Sequence, residues 1–358
     1  MRPVFIARTS LRAMWFSLML VFYAACSSAH ISTPTVENVA SSNTAATQPA
    51  APTGLPSAIL PSTPTMISML ATATQTSTVT ELTGLIAYVD DRPAGNKEIY
   101  IMQADGSRQT NLTNNLAEDQ GPAWSLDGTR IAFTSLRDGT PDLYVMNADG
   151  SNVQRLTSGW RIYRTPTWSP DGNRIAFQGS VQDNSDIYVF DLKTMEITRL
   201  TTDPAIDGDS NFSPDGNQIA FASNRNGGSS EFDIFVMNAD GSGLRRLTDT
   251  AGADYEPAWS PDGMVIAYTC SPPHGEVICL MKPDGSDKVQ LIDTEDNILD
   301  GADPAWSPNG TWLAFTSTRE GASAIFAITV DGSKTIRLTA LSFEIGRYQP
   351  AWQPQLGP

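Results

Sequence analysis

This sequence predicts an all-β fold, a six-bladed β-propeller whose ring is closed by pairing of its N- and C-terminal strands. Three observations predict it. A twelve-residue phrase recurs as "PAWSLDGTRIAF" (122–133), "PTWSPDGNRIAF" (166–177), "SNFSPDGNQIAF" (210–221), "PAWSPDGMVIAY" (257–268) and "PAWSPNGTWLAF" (304–315). Its aromatic residue, at Trp124, Trp168, Phe212, Trp259, Trp306 and Trp352, keeps spacings of 44, 44, 47, 47 and 46 residues. A period in the forties with several short strands per unit marks a propeller blade. Finally, the copy at 350–354, "PAWQP", holds only the beginning of the phrase, whereas the unit from Gly84 holds everything except that beginning.

Each part of the chain follows in order. Residues 1–25 read as a signal peptide: a basic start with Arg2, Arg8 and Arg12, then a mostly apolar run from Ala13 to Ala25 that is too short to span a bilayer comfortably. Ala24-Ala25-Cys26, followed by Ser27-Ser28, resembles the lipobox of bacterial lipoproteins, with Tyr23 where that pattern usually carries Leu. The resemblance implies lipidation of Cys26 and a protein held by its lipid on the outer side of the cytoplasmic membrane or in the cell envelope. An ordinary cleaved signal peptide and an uncleaved anchor are the alternatives. Residues 26–80 form a tether in which Thr, Ser, Ala and Pro fill two thirds of the positions. Such a composition offers little apolar surface to offset the entropy of ordering.

Residues 81–358 form the propeller. In the unit from Pro122, "PAWS" is the innermost strand and "LDG" a turn, written "PDG" in sister copies, where Pro fixes φ and Gly supplies a positive φ. "RIAFTS" is the second strand and "DLYVMN" the third, both rich in β-branched and aromatic residues. "ADGS" turns the chain and "VQRLT" is the fourth strand. The unit from Pro166 carries "DLKTME" instead of the DGS turn, so its hairpin is expected to differ. The terminal "PAWQP" supplies the innermost strand missing from the first unit. That pairing removes an open sheet edge, and a ring that closes on itself predicts a monomer.

The repeated text "PAWSPDG-x-x-IAF…DIYVM-x-ADGS…RLT" resembles the WD40-like repeats of TolB-type propellers, over about 84–353. The same repeat occurs in propellers of tricorn-like proteases and prolyl oligopeptidase relatives. The resemblance implies the fold with high specificity. The family's namesake carries an α/β domain where this chain has a tether, so its partnership with envelope proteins is not implied here.

The functional reading starts from charge. Residues 1–80 contain three arginines and Glu37; subtracting these from 23 basic and 39 acidic residues leaves 20 and 38, a net −18 for residues 81–358. This balance argues against a nucleic-acid partner, which needs a basic footprint. Propellers bind ligands where loops join one blade's last strand to the next blade's first. Those loops hold Glu118, Asp119, Asp203, Asp207, Asp209, Asp249, Asp254, Glu256, Asp293, Glu295, Asp296, Asp300, Asp303 and Glu344, against Arg161, Arg164 and Arg347. The channel mouth is therefore expected to be acidic, with Asp119, Asp207, Asp209, Asp254 and Asp303 as ligand-binding candidates. Asp119, Asp207 and Asp254 share one repeat position, five residues before the aromatic. Two readings stand for these carboxylates: caps on their own loops, or a seat for calcium or a partner's basic segment. Trp160, Tyr163, Tyr255 and Tyr348, with Arg161, Arg164 and Arg347, could grip a peptide or glycan, or could pack over the channel end.

Enzyme chemistry finds little support. The two histidines are His30 in the tether and His274 in a hairpin tip, and no G-x-S-x-G, H-E-x-x-H or P-loop is present. No cofactor is required; calcium is the candidate the carboxylates raise. The DGS turns lack the third acid and distal Glu of a calcium loop and read as structural. Cys270 and Cys279 fall in neighbouring strands, and export favours a disulfide between them over two free thiols. The expected function is a membrane-tethered, exported binding or scaffold module for an envelope or extracellular protein, a peptide or a glycan. The alternatives are a carbohydrate-active lyase or hydrolase using mouth carboxylates and a metal, and a purely structural envelope protein.

Overall fold

The "IAF" text forms the second strand of every blade because it carries apolar, β-favouring residues on both faces. Such a strand is stable only between two sheets. These strands run Leu85–Asp90, Arg130–Ser135, Arg174–Val181, Gln218–Ser223, Ile266–Cys270 and Trp312–Ser317. Ile86, Ile131, Ile175, Ile219, Ile266 and Leu313 are each fully buried in them. The computed structural model describes residues 82–91, 96–162, 166–181, 184–228, 231–272, 275–292, 300–341 and 346–354. The signal peptide, Cys26, the tether, Tyr163, Arg164 and His274 lie outside them. Every element among the described residues is a β-strand.

The strands form six antiparallel sheets. In blade 2 the order is Asp119–Trp124, Arg130–Ser135, Asp142–Asn147 and Gln154–Arg155. Blades 4, 5 and 6 repeat it from Asp207, Asp254 and Ala302. Blade 3 splits its innermost strand into Arg161–Ile162 and Thr167–Trp168. Blade 1 is made from both ends of the chain: Arg347–Trp352 lies beside Leu85–Asp90, with Ile86 opposite Trp352 and Ala87 opposite Ala351.

Six hydrophobic clusters each join two neighbouring blades. One packs Ala87 and Ile99 of blade 1 with Trp124, Ile131 and Phe133 of blade 2; another packs Trp312 and Ile325 of blade 6 with Ile86, Tyr88 and Trp352. The repeated phrase explains a second fastening. Trp124, Trp168 and Trp306 donate their indole N–H to the carbonyls of Ala351, Ala123 and Ala258, each one residue before the equivalent aromatic of the preceding blade.

The hairpins behave as their residues dictate. In the first turn of blade 2, Ser125 Oγ accepts the Arg130 N–H at 3.0 Å and donates to Asp127, which also accepts the Thr129 N–H. In the second turn, Asp149 accepts both the N–H and the hydroxyl of Ser151. Gly106, in the equivalent turn of blade 1, has φ +84°, and a Cβ there would lie 2.1 Å from the Leu338 carbonyl oxygen of blade 6. The "DLKTME" hairpin does differ: Met195 takes φ 61° and its N–H reaches the Asp191 carbonyl.

Candidate functional site

Strand register sorts the ring into two faces. Asp119 pairs with Ser135, and Ser135 with Asp142, so the start of the innermost strand, the end of the second and the start of the third share one face. This is the mouth face. The PDG and DGS turns lie on the other. Their aspartates are caps: the hydrogen bond from Ser169 first, helped by the Asn173 N–H, brings Asp171 down to about 2 against the opposing effect of burial, and Asp149 and Asp240 are likewise lowered, first by the hydroxyls of Ser151 and Ser242.

In the five blades where that position is described, the third residue before the aromatic lines the channel. Gly121, Asp209, Glu256, Asp303 and Gln349 occupy it with φ of 65°, 53°, 55°, 56° and 54°. Each sits at a break in ladder register, a bulge. The next residue is Pro122, Pro257, Pro304 or Pro350, with Ser210 in blade 4. Pro is tolerated there because the bulge asks for no ladder N–H. The bulge turns the side chains sideways into a belt. Glu256 Oε2 accepts the Asp303 N–H at 2.8 Å, Asp303 Oδ2 accepts the Gln349 N–H at 3.2 Å, and Gln349 Oε1 accepts the Gly121 N–H at 3.1 Å. Thr269 and Thr316 hydroxyls, each at 2.8 Å, brace Glu256 and Asp303.

Farther out, the aspartates five residues before the aromatic are buried and, in two blades, neutralised. Arg137 Nη2 lies 3.2 and 3.1 Å from the oxygens of Asp119, while its Nε donates to Ser135 Oγ at 2.9 Å. Arg225 makes the same clamp with Asp207 and Ser223, at 2.8 Å throughout. Both guanidinium planes rest on aromatic pairs, Phe133 with Tyr144 and Phe221 with Phe235.

A second clamp uses the "RLT" strand. Asp142 Oδ2 takes Arg155 at 2.6 Å and Oδ1 the Thr157 hydroxyl at 2.9 Å. Burial would raise the Asp142 carboxyl, but hydrogen bonds from Thr140, Arg155, Thr157 and the Trp160 N–H outweigh it and hold the group low. Asp186 pairs with Arg199 at 2.6 Å and Asp233 with Arg246 at 2.7 Å. In these two burial prevails over the arginine, and the carboxyls are raised.

The mouth is therefore less acidic than its joining loops imply. The second-to-third hairpins and the fourth strands bring Arg137, Arg155, Arg199, Arg225 and Arg246 to the same face. Asp119, Asp207 and Asp254 are at most 1% exposed and belong to the innermost strands, not to open loops. Asp209 and Asp303 lie on the channel belt. Sequence reasoning did not single out Glu256 or Gln349 as belt members, nor the arginines of Ser135-Leu-Arg137 and Ser223-Asn-Arg225. The S-x-R text closing the second strand was their signal.

Blade 5 departs from the pattern. Asp254 has Thr250 as a donor at 2.9 Å, but the arginine position is Pro272. Burial pushes its carboxyl up to about 6, against hydrogen bonds from Thr248 and Thr250. Tyr255 donates its hydroxyl to Glu276. Cys270 and Cys279, at diagonal positions of the ladder with Cα atoms 5.9 Å apart, are joined as a disulfide. Trp160 packs edge-on against Phe177 and Tyr188, and Tyr348 is half-buried beside Gly346. The backbone of Arg347 pairs with Asp90. Among the described residues, no three His, Cys, Asp or Glu side chains gather as metal donors.

Six antiparallel sheets, five of four strands and one of five because its innermost strand is split, closed from both ends around a belted channel, define a β-propeller of the repeating PAW/PDG type. The chain belongs to the TolB β-propeller domain family, whose model matches residues 86–166 and 160–356. It is similar to the Tol-Pal system protein TolB of Desulfosudis oleivorans, 39% identical over 67 residues, a match spanning 17% of this chain and only 15% of that protein. Among solved structures, TolB from Acinetobacter baumannii is 24% identical over 81% of this chain and 71% of its own, with a TM-score of 0.68. Putative TolB from Agrobacterium tumefaciens is 20% identical over 77% of this chain and 100% of its own, with a TM-score of 0.58. These two likenesses show the fold.

Proposed function

We propose that this chain is an exported, membrane-tethered binding or scaffold module whose channel mouth docks a protein, peptide or glycan of the cell envelope or its surroundings. The observation that carries the reading is the belt. Glu256 and Asp303 spend their carboxylates on backbone N–H groups of the next blade, which holds the mouth as a rigid rim. Carboxylates so engaged are poor general acids or bases, so the reading favours binding over lyase or hydrolase chemistry. Family membership supports it further, because a relative takes its name from the Tol-Pal system.

The placement of the chain's entry agrees. Trp352 donates to the Thr83 carbonyl and Gln353 to that of Gly128, so the chain enters on the turn face, opposite the mouth. Residues 1–25 serve as the signal peptide, Cys26 as the lipidated anchor and residues 26–80 as the tether.

Site-specific photo-crosslinking of the full chain in its native envelope tests this. Crosslinkers at Leu116 and Asp249, both exposed on the mouth face, are expected to trap one defined partner. Crosslinkers at Asp149 and Asp284, exposed on the turn face, are expected to trap none of it. Equal trapping from both faces, or from the turn face alone, would contradict the reading.

A further inference from the structure

The molecule's own repeats identify the chemistry that one position of the mouth takes; this inference deepens the proposed function and rests on it. Blades 2 and 4 show a finished arrangement: a buried aspartate opening the innermost strand, gripped by an arginine from the hairpin between the second and third strands. Blade 5 keeps half of it. Asp254 opens its strand as Asp119 does, ties its N–H to the Phe232 carbonyl at 2.7 Å as Asp119 does to Lys97 at 2.8 Å, and is equally buried. Thr250 donates to it from the position where Asn115 donates to Asp119. The Thr248 hydroxyl also donates to it, but the arginine is missing from its place, because Pro272 stands where Arg137 and Arg225 stand, and Cys270 where their serines stand.

We propose that Asp254 receives the guanidinium of an arginine carried by the bound partner, which completes in trans the clamp that blades 2 and 4 complete within the chain. The sister sites show the route. Arg137 and Arg225 reach their carboxylates from the hairpin and leave 24% and 11% of the side chain exposed. At blade 5 the corresponding hairpin positions are Ser271 and Pro272, both half-buried. A guanidinium suits the position better than an ammonium: it offers parallel donors to a carboxylate and a plane that stacks on an aromatic ring. Tyr268 holds the place that Phe133 holds under Arg137.

The test uses the purified full chain and acetyl-Gly-Arg-Gly-amide, with the citrulline tripeptide as its uncharged counterpart. The reporter is the ¹³C carboxyl titration of Asp254, whose charged neighbours are Asp233 and Lys288. The arginine peptide at millimolar concentration is expected to lower the titration midpoint by one pH unit or more, and the citrulline peptide to leave it in place. Pro272→Arg is expected to lower the midpoint by itself and to abolish the peptide's effect. An unmoved midpoint, an equal response to both peptides, or undiminished peptide binding by Asp254→Asn would overturn the inference. If Pro272→Arg does not fold, the two-peptide comparison on the parent chain decides. Mouth crosslinks that persist while the arginine peptide fails would sink this inference and leave the proposed function standing.

Discussion

The indole N–H of Trp124 donates to the carbonyl of Ala351 at 3.1 Å, across 227 residues of sequence. This bond joins the first complete blade to a strand supplied by the far end of the chain, and it is the local unit from which the ring is fastened. Blade 5 lacks it: Phe212 precedes Trp259 in the ring, and the Trp259 indole N–H is buried without a partner.

That contrast predicts unequal costs for one substitution. Trp124→Phe and Trp259→Phe remove the same ring volume from buried positions. Trp124→Phe also loses a hydrogen bond and takes a donor from the Ala351 carbonyl, an additional cost of about 1 kcal/mol, whereas Trp259→Phe removes a donor that has no partner. Urea unfolding of the two variants checks it; equal destabilisation would contradict the role of the indole bond.

Asp254 makes stability depend on pH. Its carboxyl is raised from an ordinary 3.8 to about 6, first by burial. A folded-state value above the unfolded one means the native chain binds more protons between those values. The contribution is therefore fully present below about pH 4 and lost as pH rises through about 6. The shift of about two units corresponds to roughly 3 kcal/mol. Asp254→Asn should stabilise the protein relative to the parent at pH 8 and lose that advantage at pH 4, read from urea unfolding at both values. A pH-independent difference would contradict it.

Arg225→Ala should strip the guanidinium from a fully buried Asp207 and cost about 3 kcal/mol, the penalty of leaving a buried charge unpaired. Arg137→Ala should cost less, because its side chain is 24% exposed against 11% for Arg225. Adding Asp207→Asn to Arg225→Ala should recover part of the loss. No recovery in the double variant would show that the arginine acts through packing on Phe221 and Phe235 instead.

Much of this architecture was legible in the sequence, for reasons that individual residues make clear. The phrase around Trp124 writes strand, turn and strand in consecutive residues, so local chemistry alone reveals it. The unfinished copy at Trp352 and the incomplete unit at Ile86 announce their pairing by complementing each other. The irregular hairpin at Asp191 was visible because its turn text is missing. The mouth was harder. Arg225 meets Asp207 from 18 residues away and from a different hairpin, so counting charges in the joining loops overlooked it. The belt was hidden because a bulge at Glu256 and Asp303 redirects side chains that strict alternation would place elsewhere.

The disulfide should add to the stability of the protein through blade 5 and its packing on blade 4. Closing a loop with a sequence separation of 9 is worth about 2–3 kcal/mol in the chain-entropy picture. Cys270→Ser combined with Cys279→Ser should lower stability by that amount, and reductant should lower the parent protein to the same level. Insensitivity of the oxidised protein to both changes would contradict it.

Closure by the chain's two ends is the claim on which the mouth, the belt and the entry point all depend. The most direct measurement is thermal unfolding of a chain that stops at Gly346 and so lacks the strand Arg347–Trp352. Losing a buried tryptophan alone costs about 3–5 kcal/mol, and at a few degrees per kcal/mol the melting temperature should fall by about 10 °C or more. An unchanged melting temperature would show that the ring does not need its own tail.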